Sequence, residues 1–152
     1  MAEIQQRSDL FDYADLTYLI SQTEEEGSHD FIDTVFADIC EGFESELKKI
    51  EPSTVRESWQ DLAKLIFCDH SEKGHLSSID GPSHWIHGTF ASVGAQRIRD
   101  IFYKIMNLSR CLDENRNFVK PSDALERIGE ILQSGDKDIK DTLSYLQRLS
   151  KL

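Results

Sequence analysis

The sequence predicts an all-α protein, specifically an antiparallel four-helix bundle with an additional short N-terminal helix. Two observations support this fold class: apolar residues recur at three- and four-residue spacing in several segments, and no segment reads convincingly as a strand. Amphipathic helices joined by loops bury their apolar faces most simply against one another. A chain of 152 residues has the length of one domain. We therefore expect a single domain over residues 1–152.

Three helices are predicted in the N-terminal half of the chain. The second has the strongest pattern, because apolar residues from Phe31 to Ile50 recur on one face with acidic residues between them. Cap-like residues and a proline suited to a first helical turn mark where helices begin. The expected bounds are residues 12–22 for the first helix, Ser28 or Asp30 to Ile50 for the second, and Pro52 to about Phe67 for the third.

The C-terminal half is predicted to begin with an inserted loop. Residues 67–82 show no helical period and are rich in Ser, Gly and Asp, which is typical of an exposed loop. Pro82 suits the first turn of the next helix, which we extend to about Leu112. A polar loop follows, then a helix that Gly135 is placed to terminate, and then a last helix.

Charge and composition restrict the possible partners. The net charge is -11, from 28 acidic and 17 basic residues, and no cluster of Lys and Arg offers a surface for nucleic-acid phosphates. No apolar run approaches the roughly 18 residues of a membrane span. The three cysteines lack CxxC spacing, and the N-terminus lacks the layout of a secretion signal. We expect a monomer in the cytoplasm, and also in the nucleus, whose partners are proteins.

The segment HWIHGTFASVGA, which begins at His84, combines two histidines with a face of small side chains. On one continuous helix, residues at 100° intervals would place this small-residue face within about 40° of the His84 direction. A glycine inside a helix costs about 1 kcal/mol relative to alanine, so Gly88 invites a packing or functional explanation. Absent side chains would let another protein approach the imidazole. The predicted docking residues are Gly88, Ala91, Ala95, Phe102 and Met106.

This segment resembles the signature of histidine-containing phosphotransfer (HPt) proteins, which runs His, any residue, apolar, Lys, Gly, Ser or Thr, small residues, an apolar residue and Gly. The residues before and after it are similar to plant and fungal members of that family, over about Phe31 to Arg110. Arg110 resembles a basic position near the docking face of the family. The residues that fall on the signature are His84, Ile86, Gly88, Thr89, Ala91, Ser92, Val93, Gly94 and Ala95.

The resemblance implies a phosphorelay intermediate rather than a self-sufficient enzyme. His84 would accept a phosphoryl group from the aspartyl phosphate of a hybrid histidine kinase's receiver domain and pass it to the receiver of a response regulator. An imidazole has an ordinary pKa near 6.5, so its neutral, nucleophilic form is available at neutral pH. The receiver supplies the Mg²⁺ in this family, so no cofactor of the chain's own is expected.

Two departures from the family pattern leave other interpretations open. The family's lysine is His87 here, which could donate to a phosphoryl group through one nitrogen unless it is protonated. This change and the predicted loop favour a pseudo-HPt protein that binds receivers without relaying phosphate. His84 could also be an ordinary surface histidine, and the small residues could mark a close helix crossing. A structural zinc site is a further alternative, with Cys68, His70, His75, His84 and His87 as candidate ligands.

Overall fold

The computed structural model describes residue 7 and residues 9–25, 29–50 and 69–149, and this part of the chain is all-α, as predicted. Its only extended pairing is an isolated bridge between Leu112 and Phe118 in the loop before the last helix. The described helices are α1 (Tyr13–Glu25), α2 (His29–Ile50), α3 (Asp69–Ser92), α4 (Gln96–Ser109) and α5 (Pro121–Leu149).

All five helices contribute to one cluster of buried apolar residues. Phe43 of α2 is buried in this cluster, and its ring centroid lies 5.5 Å from that of Phe90 and 5.8 Å from that of Phe102, both edge to face. Such aromatic pairs stabilise a fold by about 0.5–1.5 kcal/mol beyond the contribution of the apolar area they bury. The most extensive helix pair is α3 with α4, and α4 also packs along α5. The rings therefore join α2 to the hairpin of α3 and α4.

The first two helices begin and end close to their predicted positions. Asp12 precedes α1 and accepts a hydrogen bond at Oδ1 from the backbone N–H of Ala14, 3.0 Å away, as a helix-capping carboxylate does. Residues 29–50 form α2 as the spacing of its apolar residues indicates. The third helix, predicted from Pro52 to about Phe67, lies outside the described residues.

The predicted loop over residues 67–82 is wrong from Asp69 onward, because α3 continues through it to Ser92. Leu76, Ile79, Ile86 and Phe90 are all buried, so a helical face extends back beyond the proline. Pro82 lacks the N–H for one helical hydrogen bond, and its ring ordinarily clashes with the Cβ of the residue before it. That residue is Gly81, which has no Cβ. Packing of the buried face thus overrides the local loop signals.

The helix predicted from Pro82 to Leu112 is interrupted at Gly94, where the chain reverses between α3 and α4. Gly94 has a φ of +71°, in the left-handed region that favours glycine. Its carbonyl oxygen accepts a hydrogen bond from the backbone N–H of Asp12 at 2.7 Å. The turn is therefore fixed by a contact with the segment preceding α1, which is remote in sequence.

Gly94→Ala is expected to destabilise the protein by about 2–4 kcal/mol, through left-handed strain and steric overlap. An added Cβ would lie 2.7 Å from the carbonyl oxygen of Asp12 and 3.0 Å from the Cβ of Asp15. Urea unfolding followed by circular dichroism measures the change. Gly88→Ala is the control for stability, since it adds the same methyl group at an exposed helical position where the new Cβ would have open space around it. Equal losses in both variants would contradict the special role of the turn.

Gly135 does not terminate a helix, contrary to the prediction, and α5 runs unbroken from Pro121 to Leu149. The glycine is buried, and the side chain of Ile101 on α4 occupies the space beside it. A glycine at this point allows α4 and α5 to approach closely. The two predicted C-terminal helices are therefore one, and Gly135 is a packing residue.

Candidate functional site

His84 is exposed near the middle of a nearly bare strip on α3. Its chain neighbour Ser83 and the following Ile86 are each 0% exposed, which fixes the inward side of the helix and turns His84 outward. We call the exposed residues at helical spacing around it the α3 outer strip. It consists of Ser77, Gly81, His84, Trp85, Gly88 and Ser92, in which only the histidine and the tryptophan are large.

Gly88 has no packing role among the described residues. Apart from its chain neighbours and the nearby backbone of its own helix, a Cβ built there would meet no atom within 4 Å, and the position is helical and exposed. Gly81 is equally open, but the following Pro82 accounts for it, as described above. Since glycine costs about 1 kcal/mol in an exposed helix interior, Gly88 keeps a destabilising residue where alanine would fit. The open space one turn after His84 is thus a property of the surface rather than of the core.

Trp85 forms the other side of the strip and is anchored across the helix interface. Its indole lies over Gly42 of α2, where an added Cβ would come within 2.5 Å of the tryptophan Cη2 atom. The side chain remains 39% exposed. It therefore offers a fixed apolar surface next to the imidazole. Trp85 and Gly81 were not predicted as site residues from the sequence, although both lie within one turn of His84.

His87 is turned toward α4 rather than toward solvent. Its Nδ1 lies 3.1 Å from the carbonyl oxygen of Arg99, and its ring centroid is 5.3 Å from that of Tyr103. A carbonyl can only accept, so the neutral ring carries its proton on Nδ1 in this contact. The other nitrogen is then an acceptor. Neutral His87 in this position cannot donate to a phosphoryl group, and only the protonated ring can.

Three of the predicted docking residues are buried. Ala95 and Phe102 are 0% exposed, Met106 is 7% exposed, and Ala91 is half-buried. The prediction extended one helical wheel past Gly94, where the structure starts a new helix. The docking residues predicted beyond the turn, Phe102 and Met106, consequently lie on a face of α4 that packs inward. The exposed surface around His84 is the α3 outer strip instead.

Arg110 is exposed, as a docking residue must be, and it contacts α3 one turn before His84. Its Nε donates to Oδ1 of Asp80 at 2.9 Å, and both side chains are roughly half-exposed. This ion pair joins the end of α4 to α3. This ion pair was not predicted from the sequence, because its two residues are 30 positions apart.

The zinc alternative has no support among the described residues, where no group of three or more His, Cys, Asp or Glu side chains could hold a metal ion. Cys68 and the side chains of His70 and His75 lie outside those residues. Cys40 is buried in the core, and burial, together with the charge of Glu44, raises the pKa of its thiol. A buried thiol with a raised pKa is a poor nucleophile and a poor metal ligand.

The chain matches no protein-family model, and no curated protein or solved structure is significantly similar to it. Among the described helices, none combines the length and the apolar character that crossing a lipid bilayer requires.

Proposed function

We propose that the protein is a histidine phosphotransfer domain that relays a phosphoryl group between receiver domains through His84. In this proposal α2, α3, α4 and α5 form the four-helix bundle and α1 is the additional N-terminal helix. The observation that carries the proposal is an exposed imidazole beside a helical glycine whose Cβ space is open. The signature resemblance around His84 supports the same assignment.

The proposed step needs only an accessible ring nitrogen on this chain. The lone pair of that nitrogen attacks phosphorus, an N–P bond forms, and the P–O bond to the receiver's aspartate breaks. The aspartate leaves as a carboxylate, and the proton on the other ring nitrogen passes to solvent. The receiver would supply a Mg²⁺ that balances the charge of the phosphoryl oxygens, as the family resemblance implies. The reverse sequence delivers the group to a second receiver.

Transfer of label from a receiver tests the proposal directly. A panel of receiver domains carrying ³²P on aspartate is mixed with the protein, and the label on each chain is followed over time. We expect rapid movement of label onto this chain, in an acid-labile and alkali-stable form. Stable receiver binding without transfer would identify the pseudo-HPt alternative. The hydrogen bond of His87 to the Arg99 carbonyl favours that alternative, because it leaves the neutral ring without a donor for a phosphoryl group.

Gly88→Gln is expected to slow transfer at least about tenfold, because the new side chain fills the space through which a receiver would approach His84. Helix propensity predicts unchanged or slightly higher stability, by up to about 0.5–1 kcal/mol. Initial rates of label transfer and urea unfolding report the two effects separately. The control is Ser144→Gln, an exposed helical position on α5. Undiminished transfer by Gly88→Gln would mean that receivers do not dock over this glycine.

A further inference from the structure

The pairing of α3 with α4 places His84 between two cross-helix contacts. One turn after it, His87 meets the Arg99 carbonyl and the Tyr103 ring. One turn before it, Asp80 meets Arg110. Asp80 and His84 are four residues apart on one helix, so their Cβ atoms are about 5–6 Å apart. The guanidinium that Asp80 holds is thus within one side chain's reach of the imidazole.

The backbone of Arg110 is fixed by the way α4 ends. The N–H of Cys111 donates to the carbonyl of Leu108, and that of Leu112 donates to the carbonyl of Asn107, both at 2.9 Å. Cys111 itself has a φ of 59°. This is the Schellman pattern, with a left-handed residue immediately after the helix cap. Arg110 is the cap residue, so its side chain starts from a defined point beside α3.

The Asp80–Arg110 pair is of a kind that exchanges easily. Both side chains are exposed to solvent, 38% for Asp80 and 46% for Arg110, and one hydrogen bond joins them. Exposed pairs of single charges contribute little to stability. A phosphoryl group carries close to two negative charges near neutral pH and several acceptor oxygens, and guanidinium groups bind it in two-bond geometry. A phosphoryl group on His84 would outcompete the Asp80 carboxylate for the arginine.

We propose that Asp80 is a positioning residue that holds Arg110 beside unphosphorylated His84 and releases it to the phosphoryl group once His84 is phosphorylated. The inference rests on the proposed function in requiring phosphorylation of His84. It adds a charge exchange in which the ion pair of the resting protein breaks and a guanidinium–phosphoryl contact replaces it. Asp80 opposes this exchange, so it also limits how firmly the phosphoryl group is held.

Phosphoramidate can test the exchange without any receiver. The imidazole nitrogen attacks the phosphorus of phosphoramidate in its form with a protonated nitrogen, a new N–P bond forms as the N–P bond of the reagent breaks, ammonia leaves, and the proton on the other ring nitrogen passes to solvent. Nuclear magnetic resonance of the chain labelled with [¹⁵N]arginine follows the Nε–H signal of Arg110, which the loss of one signal in Arg110→Lys assigns. We expect this signal to shift as His84 is phosphorylated and to return as the phosphohistidine hydrolyses. No phosphorylation-dependent shift in His84→Gln would be the control result.

Asp80→Asn should lengthen the half-life of phospho-His84 about threefold, an effect of the size that exposed ion pairs have. This gain should disappear in the Arg110→Gln background, because it acts through the arginine. Asp136→Asn is the matched control, since it removes another exposed ion pair, with Lys140 on α5, and should leave the half-life unchanged.

Three results would overturn the proposal. They are an Arg110 signal that ignores phosphorylation, an Asp80→Asn gain that is equal with and without Arg110, and a His84 that phosphoramidate does not label. The proposed function fails separately, if phosphoramidate labels His84 and Arg110 responds but no receiver donates label.

Discussion

His84→Gln should abolish all acid-labile phosphoryl label, whether the donor is a phosphorylated receiver or phosphoramidate. Glutamine keeps a polar side chain of similar size but has no nitrogen lone pair that attacks phosphorus, since the amide lone pair is delocalised. His84 is exposed on α3, so the change should leave the free energy of unfolding within about 0.5 kcal/mol of wild type. The measurements are label retained after gel separation and urea unfolding.

His87→Gln is the matched control, because it removes the neighbouring imidazole three residues away on the same helix. The Nδ1 of His87 lies against the carbonyl oxygen of Arg99, so this side chain stabilises the contact between α3 and α4. We expect label to persist in His87→Gln, with a loss of stability of about 1 kcal/mol for the buried part of the contact. If label persists in His84→Gln and vanishes in His87→Gln, the phosphoryl acceptor is His87 and the assignment to His84 is wrong.

The spacing of apolar residues within single segments was sufficient to predict the all-α class and α2. An amphipathic helix shows its buried face in its own sequence, whichever element covers that face. Such spacing failed where a residue's role depends on a distant element. Pro82 and Gly135 are local helix breakers by type, yet both lie inside helices whose buried faces continue past them. Gly135 faces Ile101, and no local signal shows that another helix passes there.

In the candidate site, too, the local features were predicted from the sequence and the contacts between helices were not. The motif pointed to His84 and Gly88 because their relation is local, within one turn of a helix. The Asp80–Arg110 pair depends on how α3 and α4 are aligned, and that alignment is set by the turn at Gly94. The turn in turn contacts Asp12, before α1. A sequence pattern along one helix carries no information about such a contact between distant segments.

Ala95 follows this turn, and Ala95→Glu should unfold the protein or cost at least about 4 kcal/mol of stability. The alanine is 0% exposed, and its N–H donates to the carbonyl of Phe90 at 2.9 Å. A glutamate there would bury an uncompensated carboxylate in an apolar cluster and would need space that the core lacks. Typical domains have a net free energy of unfolding of only about 5–15 kcal/mol, so one such substitution removes a large part of it.

The matched control is Ala37→Glu, the same substitution at an exposed position within α2. Its carboxylate stays in water, so the expected change is within about 0.5 kcal/mol even in this acidic protein. Urea midpoints by circular dichroism compare the two variants, and receiver binding is measured on whichever of them folds. The docking surface first predicted from sequence requires the opposite outcome, a folded Ala95→Glu of normal stability that no longer binds receivers. Because Ala95 is buried directly after the turn and is not part of the α3 outer strip, we expect the fold to fail before docking can be measured.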